Sequence, residues 1–382
     1  MQLFSVVLSG VIATLTLGAL PVFVARLSET LALSLQQSGV LAAADLGGCT
    51  IGCVIALFIQ RKMNWRRILV SAIAISASGS ALSLFSTEFL SLIISRGVAG
   101  VGNGLIVALV FSALYASTNP DRNFGFYTFG QLITQALSIS SFTYLVQIFD
   151  IGVIFIVLTC LSISLLALTP FFPVSRKDVE NGTSIEEHTA ISIGAAPGAS
   201  PLSAGAVISL IGLSIYFLGF AAIWAFLDPI GQNAELSVTE VGKTLGMASL
   251  IGILGPLAVM MTQPFFHRMV LLVIGTLLHT VSLIFLVQAG AVWGFMIGAS
   301  LFIFSLNFVF PFQMGALSGF DKDGSIAVVS LILQLGCLSL GPVLGGIVYA
   351  KSGPSILLVG VMVAFMTSIV LFLLGARRLN PA

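Results

Sequence analysis

Charge is what this sequence has least of. Only 8% of its 382 residues are Asp, Glu, Lys or Arg, against 58% hydrophobic residues, too few polar side chains to coat a water-soluble globule. A charge excess is missing too. The net charge is +1, and the few cations fall between apolar runs without forming a stripe, which argues against binding to nucleic acid. Cysteine is sparse: Cys49, Cys53, Cys160 and Cys337 all lie in apolar runs with no metal-ligand spacing, so they read as small packing residues and no metal site is expected. There is no Gly-rich phosphate loop, zinc motif or nucleophile elbow, and only one long polar segment. ATP-driven pumping and catalysis therefore have nowhere to sit, and neither an enzyme nor a cofactor is expected.

What is there is a succession of apolar runs. A membrane-crossing helix needs about 20 mostly apolar residues, and that length predicts twelve spans: 3–25, 35–60, 67–87, 89–116, 124–147, 151–173, 204–227, 242–262, 269–290, 292–316, 325–350 and 354–376. The first is longer than the core of a signal peptide and lacks a basic flank, so it reads as a retained helix. The expected class is an all-α polytopic membrane protein, with lipid as its solvent.

Lysine and arginine set the expected orientation. With the N-terminus inside, Arg61, Lys62, Arg66, Arg67, Arg122, Arg176, Lys177, Arg268, Lys322, Arg377 and Arg378 fall on the cytoplasmic side, and only Arg26, Lys243 and Lys351 lie outside. The positive-inside rule then places both termini in the cytoplasm, in a bacterial inner (plasma) membrane. Residues 174–203 hold Glu186, Glu187 and His188 and a Gly/Ala/Pro/Ser tail, the composition of a flexible linker. They divide the chain into a six-helix bundle at 1–173 and a second at 204–382. The two halves echo one another at a shift of about two hundred residues, as a parallel duplication would. Gly39 and Gly52 match Gly242 and Gly255, Leu17-Gly18 matches Leu218-Gly219, and Asn103 matches Asn307.

Within the fourth span stands Arg96-Gly97-Val98-Ala99-Gly100-Val101-Gly102-Asn103-Gly104. An arginine this deep costs about 2.5–3.5 kcal/mol on insertion scales unless the protein compensates it. Twelve spans as two parallel sets of six, a long central loop, and Arg-x-x-x-Gly-x-Gly at Arg96, Gly100 and Gly102 resemble the major facilitator superfamily over essentially the whole chain. The family's loop between helices 2 and 3 normally reads Gly-x-x-x-Asp-Arg-x-Gly-Arg-Lys. This chain keeps the basic residues Arg61, Arg66 and Arg67 but has Gln60 where the aspartate would help latch the cytoplasmic side. The Gly-Pro pattern that the family's antiporters tend to carry in helix 5 is missing, and a similar one, Gly341-Pro342 with Gly345, stands in the eleventh span. It is either a gate hinge or a close helix crossing; Gly100 and Gly102 are candidates for the same role.

The resemblance implies two bundles that rock about a central site, moving a small molecule. Asp45, in the second span, is the natural partner for Arg96. Counted at 1.5 Å per residue from Leu35 and Phe89, the two lie about 15 Å and 10 Å deep. One reading is a switchable pair whose protonation couples proton movement to rocking; the other is purely structural neutralisation. His279 has the same two readings, packed or proton relay. The fold resemblance places the substrate pocket between spans 1, 4, 7 and 10. There the candidate binding groups are Asn103, Trp224, Asn307 and Gln313, joined by Gln131 and Gln135, which share one face of the fifth span. Amides and aromatics with almost no fixed charge suit an uncharged or amphipathic organic molecule. A proton-coupled secondary transporter acting as a monomer is the expectation. A facilitator without ion coupling and a non-transporting sensor of the same fold are the alternatives.

Overall fold

The computed structural model describes residues 1–15, 35–86, 88–149, 152–182, 202–224, 226–227, 230–231, 236, 238–287, 292–322 and 324–377. The described chain is helical throughout: α1 Gln2–Ala13, α2 Leu35–Ile59, α3 Trp65–Leu84, α4 Phe89–Tyr115, α5 Pro120–Ile148, α6 Gly152–Ser164 continued by a 3₁₀ segment Leu165–Phe171, a short α7 Arg176–Gly182, α8 Ala204–Trp224, α9 Val238–Gly252, α10 Leu254–Thr262, α11 Arg268–Val287, α12 Val292–Ser318 and α13 Ser325–Arg377. Among the described residues, eight helical stretches are long and apolar enough to cross a membrane. The last of them, α13, has 53 residues and breaks at Gly353, whose φ of 79° only glycine adopts freely, one residue before Pro354. It therefore supplies two crossings, the predicted eleventh and twelfth. With α1, α2 and α5 the total is the predicted twelve.

Two features differ from expectation. The predicted eighth span is divided at Ile253 into α9 and α10. The linker is not wholly unstructured: Arg176–Gly182 form a helix, closed by the Asp178 side chain accepting from the Val174 N–H (2.9 Å). Residues 183–201, with Glu186, Glu187 and His188, lie outside the described residues, as do Leu17, Gly18, Arg26 and Arg378.

The solvent around these helices is lipid, and the side chains show it. On α11, Ile274, Leu277, Val281 and Ile284 are exposed at helical spacing, a stripe that would be unstable in water and is at home in hydrocarbon. The opposite face buries Leu272, Gly275, Thr276, His279 and Ser282. α4, α8 and α12 are enclosed on most sides; they form the middle of the molecule.

The duplication is visible in the contacts. A Cβ on Gly52 of α2 would meet the Val101 carbonyl and the Leu105 nitrogen of α4; a Cβ on Gly255 of α10 would meet the Phe304 carbonyl and the Phe308 nitrogen of α12. The offset is 203 each time (255 − 52, 304 − 101, 308 − 105). Cys49 against Gly100 and Gly104 repeats as Gly252 against Ile303 and Asn307. Asn307 thus occupies the place of Gly104, not of Asn103, and the small residue of the crossing has moved from one helix to the other.

Candidate functional site

α2 and α4 cross through a seam of small residues. A Cβ on Gly48, Gly100 or Gly104 would collide with the carbonyls of Gly97, Asp45 and Cys49, respectively. With no side chains between them the backbones close to near contact, as small-residue seams allow in membranes. Gly102 faces the other way, against Ala72 and Ser76 of α3. α4 is therefore clamped on two faces, and Gly100 and Gly102 serve packing within the first half. Gly341 and Gly345 do the same for α13, against Leu218, Ala221 and Ala222 of α8, while Pro342 lies inside the helix. The positive-φ break comes later, at Gly353.

The seam brings Asp45 and Arg96 together. Arg96 Nε donates to Asp45 Oδ2 (3.0 Å) and Nη2 to Oδ1 (2.7 Å), the two-pronged geometry that gives a guanidinium and a carboxylate their strongest contact. Their side chains are 0% and 3% exposed. By the offset of 203, the equivalent positions of the second half are Ala248 and Ala299, both fully buried. The fold needs no charge at this crossing; one half carries an ion pair there and the other two methyl groups.

The groups expected around a substrate fall into two sets. Asn103 accepts from Ser76 Oγ (2.7 Å), which also contacts Ser162 Oγ (3.3 Å), a polar cluster inside the first half. Asn307 donates to its own helix at Ile303 (2.8 Å). Gln313 is fully buried, its amide without a hydrogen-bond partner among the described residues. By contrast, Gln131 and Gln135 are half-buried on α5 and Trp224 is 42% exposed. Trp224 stacks on Phe220 (5.9 Å between ring centres), which stacks on Phe302 (5.3 Å). A cavity of about 330 Å³ opens elsewhere, between α1, α4, α5 and α7, with Gln2, Asn119, Arg122, Asn123, Phe126 and Val179 in its wall.

His279 is fully buried. Its Nδ1 lies 2.7 Å from the Tyr216 hydroxyl, and the rings of Phe302 and Phe365 stand 4.5 and 4.4 Å away. Nε2 is enclosed with no partner. This is the setting of a packed side chain.

The bonds that tie the halves together were not anticipated. A set of hydrogen bonds and ion pairs joins the halves at the end of the bundle that carries α7, the linker face. At one corner Ser112 donates to Gln60 Oε1 (2.7 Å) and Gln60 Nε2 donates to the Gly324 carbonyl (3.1 Å). Beside it Tyr115 meets Ser330 (2.9 Å), and Arg176 pairs with Asp321 (3.2 Å). At the other corner Asp121 Oδ2 pairs with Arg268 (2.9 Å). Of the loop cations, Arg66 donates to the Phe172 carbonyl (2.6 Å), while Arg61 and Arg67 are exposed. In the sequence, Arg176 and Arg268 register only as orientation signals. The clue to more is that Asp121 and Asp321, two of fourteen acids, stand just ahead of the fifth and eleventh spans.

The model of the Major Facilitator Superfamily matches residues 4–321. The chain belongs to that superfamily. Within it, two uncharacterized MFS-type transporters of Mycobacterium tuberculosis, from strains CDC 1551 and H37Rv, are 32% identical over 124 residues, 32% of this chain. The chain spans only 17% of the length of those curated relatives. Two solved structures of the superfamily share the fold. The proton:xylose symporter XylE bound to 6-bromo-6-deoxy-D-glucose has a TM-score of 0.71 and 16% identity, covering 98% of this chain and 94% of that one. The human organic anion transporter MFSD10 (TETRAN) has a TM-score of 0.69 and 14% identity, covering 99% and 98%. Membership of the superfamily makes the molecule an integral multi-pass membrane protein of twelve helices in two pseudo-symmetric bundles.

Proposed function

We propose that this chain is a secondary active transporter that carries a small uncharged or amphipathic organic molecule by alternating access, coupled to protons through Asp45 and Arg96. The two moving bodies are residues 1–173 and 204–382, joined by the linker at 174–203. The linker face is the cytoplasmic one, because Arg61, Lys62, Arg66, Arg67, Arg122, Arg176 and Arg268 gather there; the membrane is the bacterial inner membrane, and the protein works as a monomer. The halves are then closed toward the cytoplasm in this structure.

The observation that carries the coupling is the asymmetry of the helix crossing. A pair of buried charges is seldom a net gain in stability over apolar residues, and Ala248 with Ala299 shows that the same crossing closes without one. A carboxylate held by one guanidinium in hydrocarbon has two states, paired or protonated, and a proton that enters frees the arginine to seek other acceptors. Substrate contacts come from Gln131, Gln135 and Trp224 on the Phe220–Phe302 stack, with no fixed charge among them. Asn103, Asn307 and Gln313 stand behind as groups that a change of state could expose.

The test is uptake into proteoliposomes at a series of pH values, in wild type and Asp45→Asn. Wild type should respond to an imposed pH gradient and the variant should not. A gradient response that survives in Asp45→Asn removes the coupling role; flux without gradient dependence in wild type marks a facilitator, and no flux in either a sensor.

A further inference from the structure

The two linker-face corners are built from equivalent positions that carry different side chains. Gly324, at the start of α13, takes the Gln60 amide on its carbonyl; 203 residues earlier, at the start of α5, stands Asp121. Ser112 lines the first corner, and its equivalent, Gly315, lines the second. The absence of a side chain at Gly315 is what admits the carboxylate, since a Cβ there would run into Asp121 Oδ1. Both corners hold a buried acid: Asp321, at the first, pairs with Arg176 and accepts from the N–H groups of Gly324 and Ile326, whereas Asp121, at the second, is 1% exposed and stands directly between the halves.

We propose that Asp121 is a proton-binding site of the gate, taking up a proton from the linker-face solution when that face closes and returning it when the face opens. The proposal rests on the alternating-access reading above, not on the role given to Asp45 and Arg96. Its geometry is lopsided: Oδ2 has Arg268, but Oδ1 is shut from water with no donor, a costly setting for an ionised oxygen. Burial raises its pKa from 3.8 to about 6, and the Arg268 guanidinium, with His267 behind it, offsets that only in part. The neighbouring groups from the second half are neutral: Gly315 of α12 against Asp121, Ser318 donating to the Gly315 carbonyl, and Pro256, Val259 and Met260 of α10 against Gly125, one turn along α5. On its own helix, Arg122 lies over the Phe126 ring. Glu240 and Lys243 belong to the first turns of α9, at the far end of that helix from this corner.

The sign follows from linkage. Separation of the halves wets Asp121 and returns it toward 3.8, so the closed state has the higher pKa and binds the proton more tightly. Acid therefore favours closure, although it weakens the ion pair. For pKa values of about 6 closed and 3.8 open, a change from pH 7.5 to 5 raises the closed-to-open ratio about tenfold.

To test it, spin labels on non-natural amino acids are placed in the full chain at Thr118 and Phe265 across the Asp121 corner. A second pair at Met63 and Lys322 spans the Gln60 corner. Double electron–electron resonance then gives the closed and open populations between pH 5 and 8. The expected result is two distances whose populations shift toward the shorter by about tenfold on acidification, the rise setting in as the pH falls through about 6. Asp121→Asn should hold the closed-rich populations at every pH, and Arg268→Gln should move that onset upward, serving also if Asp121→Asn does not fold. Populations that open on acidification, or a titration that persists in Asp121→Asn, overturn the proposal and leave alternating access standing. A single distance at all pH values overturns both.

Discussion

Removing one member of the Asp45–Arg96 pair should cost far more than removing both. Asp45→Leu leaves a guanidinium that is 0% exposed without its carboxylate, beside the backbone of a glycine seam. The penalty for breaking a buried pair this way is about 3–5 kcal/mol, a large part of a stability of about 5–15 kcal/mol. Replacing Arg96 as well, with the similarly long Met, removes the stranded charge, and the double variant should return to within about 1–2 kcal/mol of wild type. The Ala248–Ala299 crossing of the second half is the internal precedent. The assay is a double-mutant cycle on unfolding free energies measured by steric trapping in bicelles, since heat unfolding of such proteins is seldom reversible. A double variant as unstable as the sum of its singles would refute the reasoning and make the pair a structural necessity.

Other consequences are smaller. Gly104→Ala puts a methyl group into the Cys49 carbonyl and should destabilise by about 1–3 kcal/mol, whereas Gly47→Ala, which meets nothing within 4 Å, should stay within about 0.5 kcal/mol; the same unfolding assay reads both. His279→Phe strands the Tyr216 hydroxyl and should cost about 1–3 kcal/mol, while His279→Phe with Tyr216→Phe should be nearly neutral; retained transport in the double variant would confirm that this histidine is not a relay. Gln60→Leu removes the acceptor of Ser112 and the donor to Gly324 and should shift the Met63–Lys322 label distance toward the open population at every pH.

The number and order of helices were legible because lipid demands length and apolarity of every span, and few residues disobey. Asp45 and Arg96 could be paired on paper for a related reason: in a chain with so little charge, two ionisable groups at similar depth have few other partners. The faces of the helices were less legible. In water a polar side chain marks the outside, but in a bilayer polar groups turn inward whether they face a pocket or a neighbouring helix. Asn103 and Asn307 therefore look like pocket residues and prove to be bonded within their own halves. The glycines were ambiguous in the same way, since a hinge and a close crossing ask for the same residue; only the contacts separate Gly341 from Gly353. The linker-face joints could not be read at all, because they depend on which state the two halves are in. Asp121 and Arg268 are 147 residues apart (268 − 121) and belong to different halves.

The measurement closest to the central claim is proton movement itself. Proteoliposomes containing the purified chain and an internal pH-sensitive dye are given a concentration gradient of a transported neutral solute, with no pH gradient imposed. Solute flow should drive a pH change inside wild-type vesicles, and Asp45→Asn vesicles should pass solute with no such change. Proton movement of equal size in the variant would contradict it.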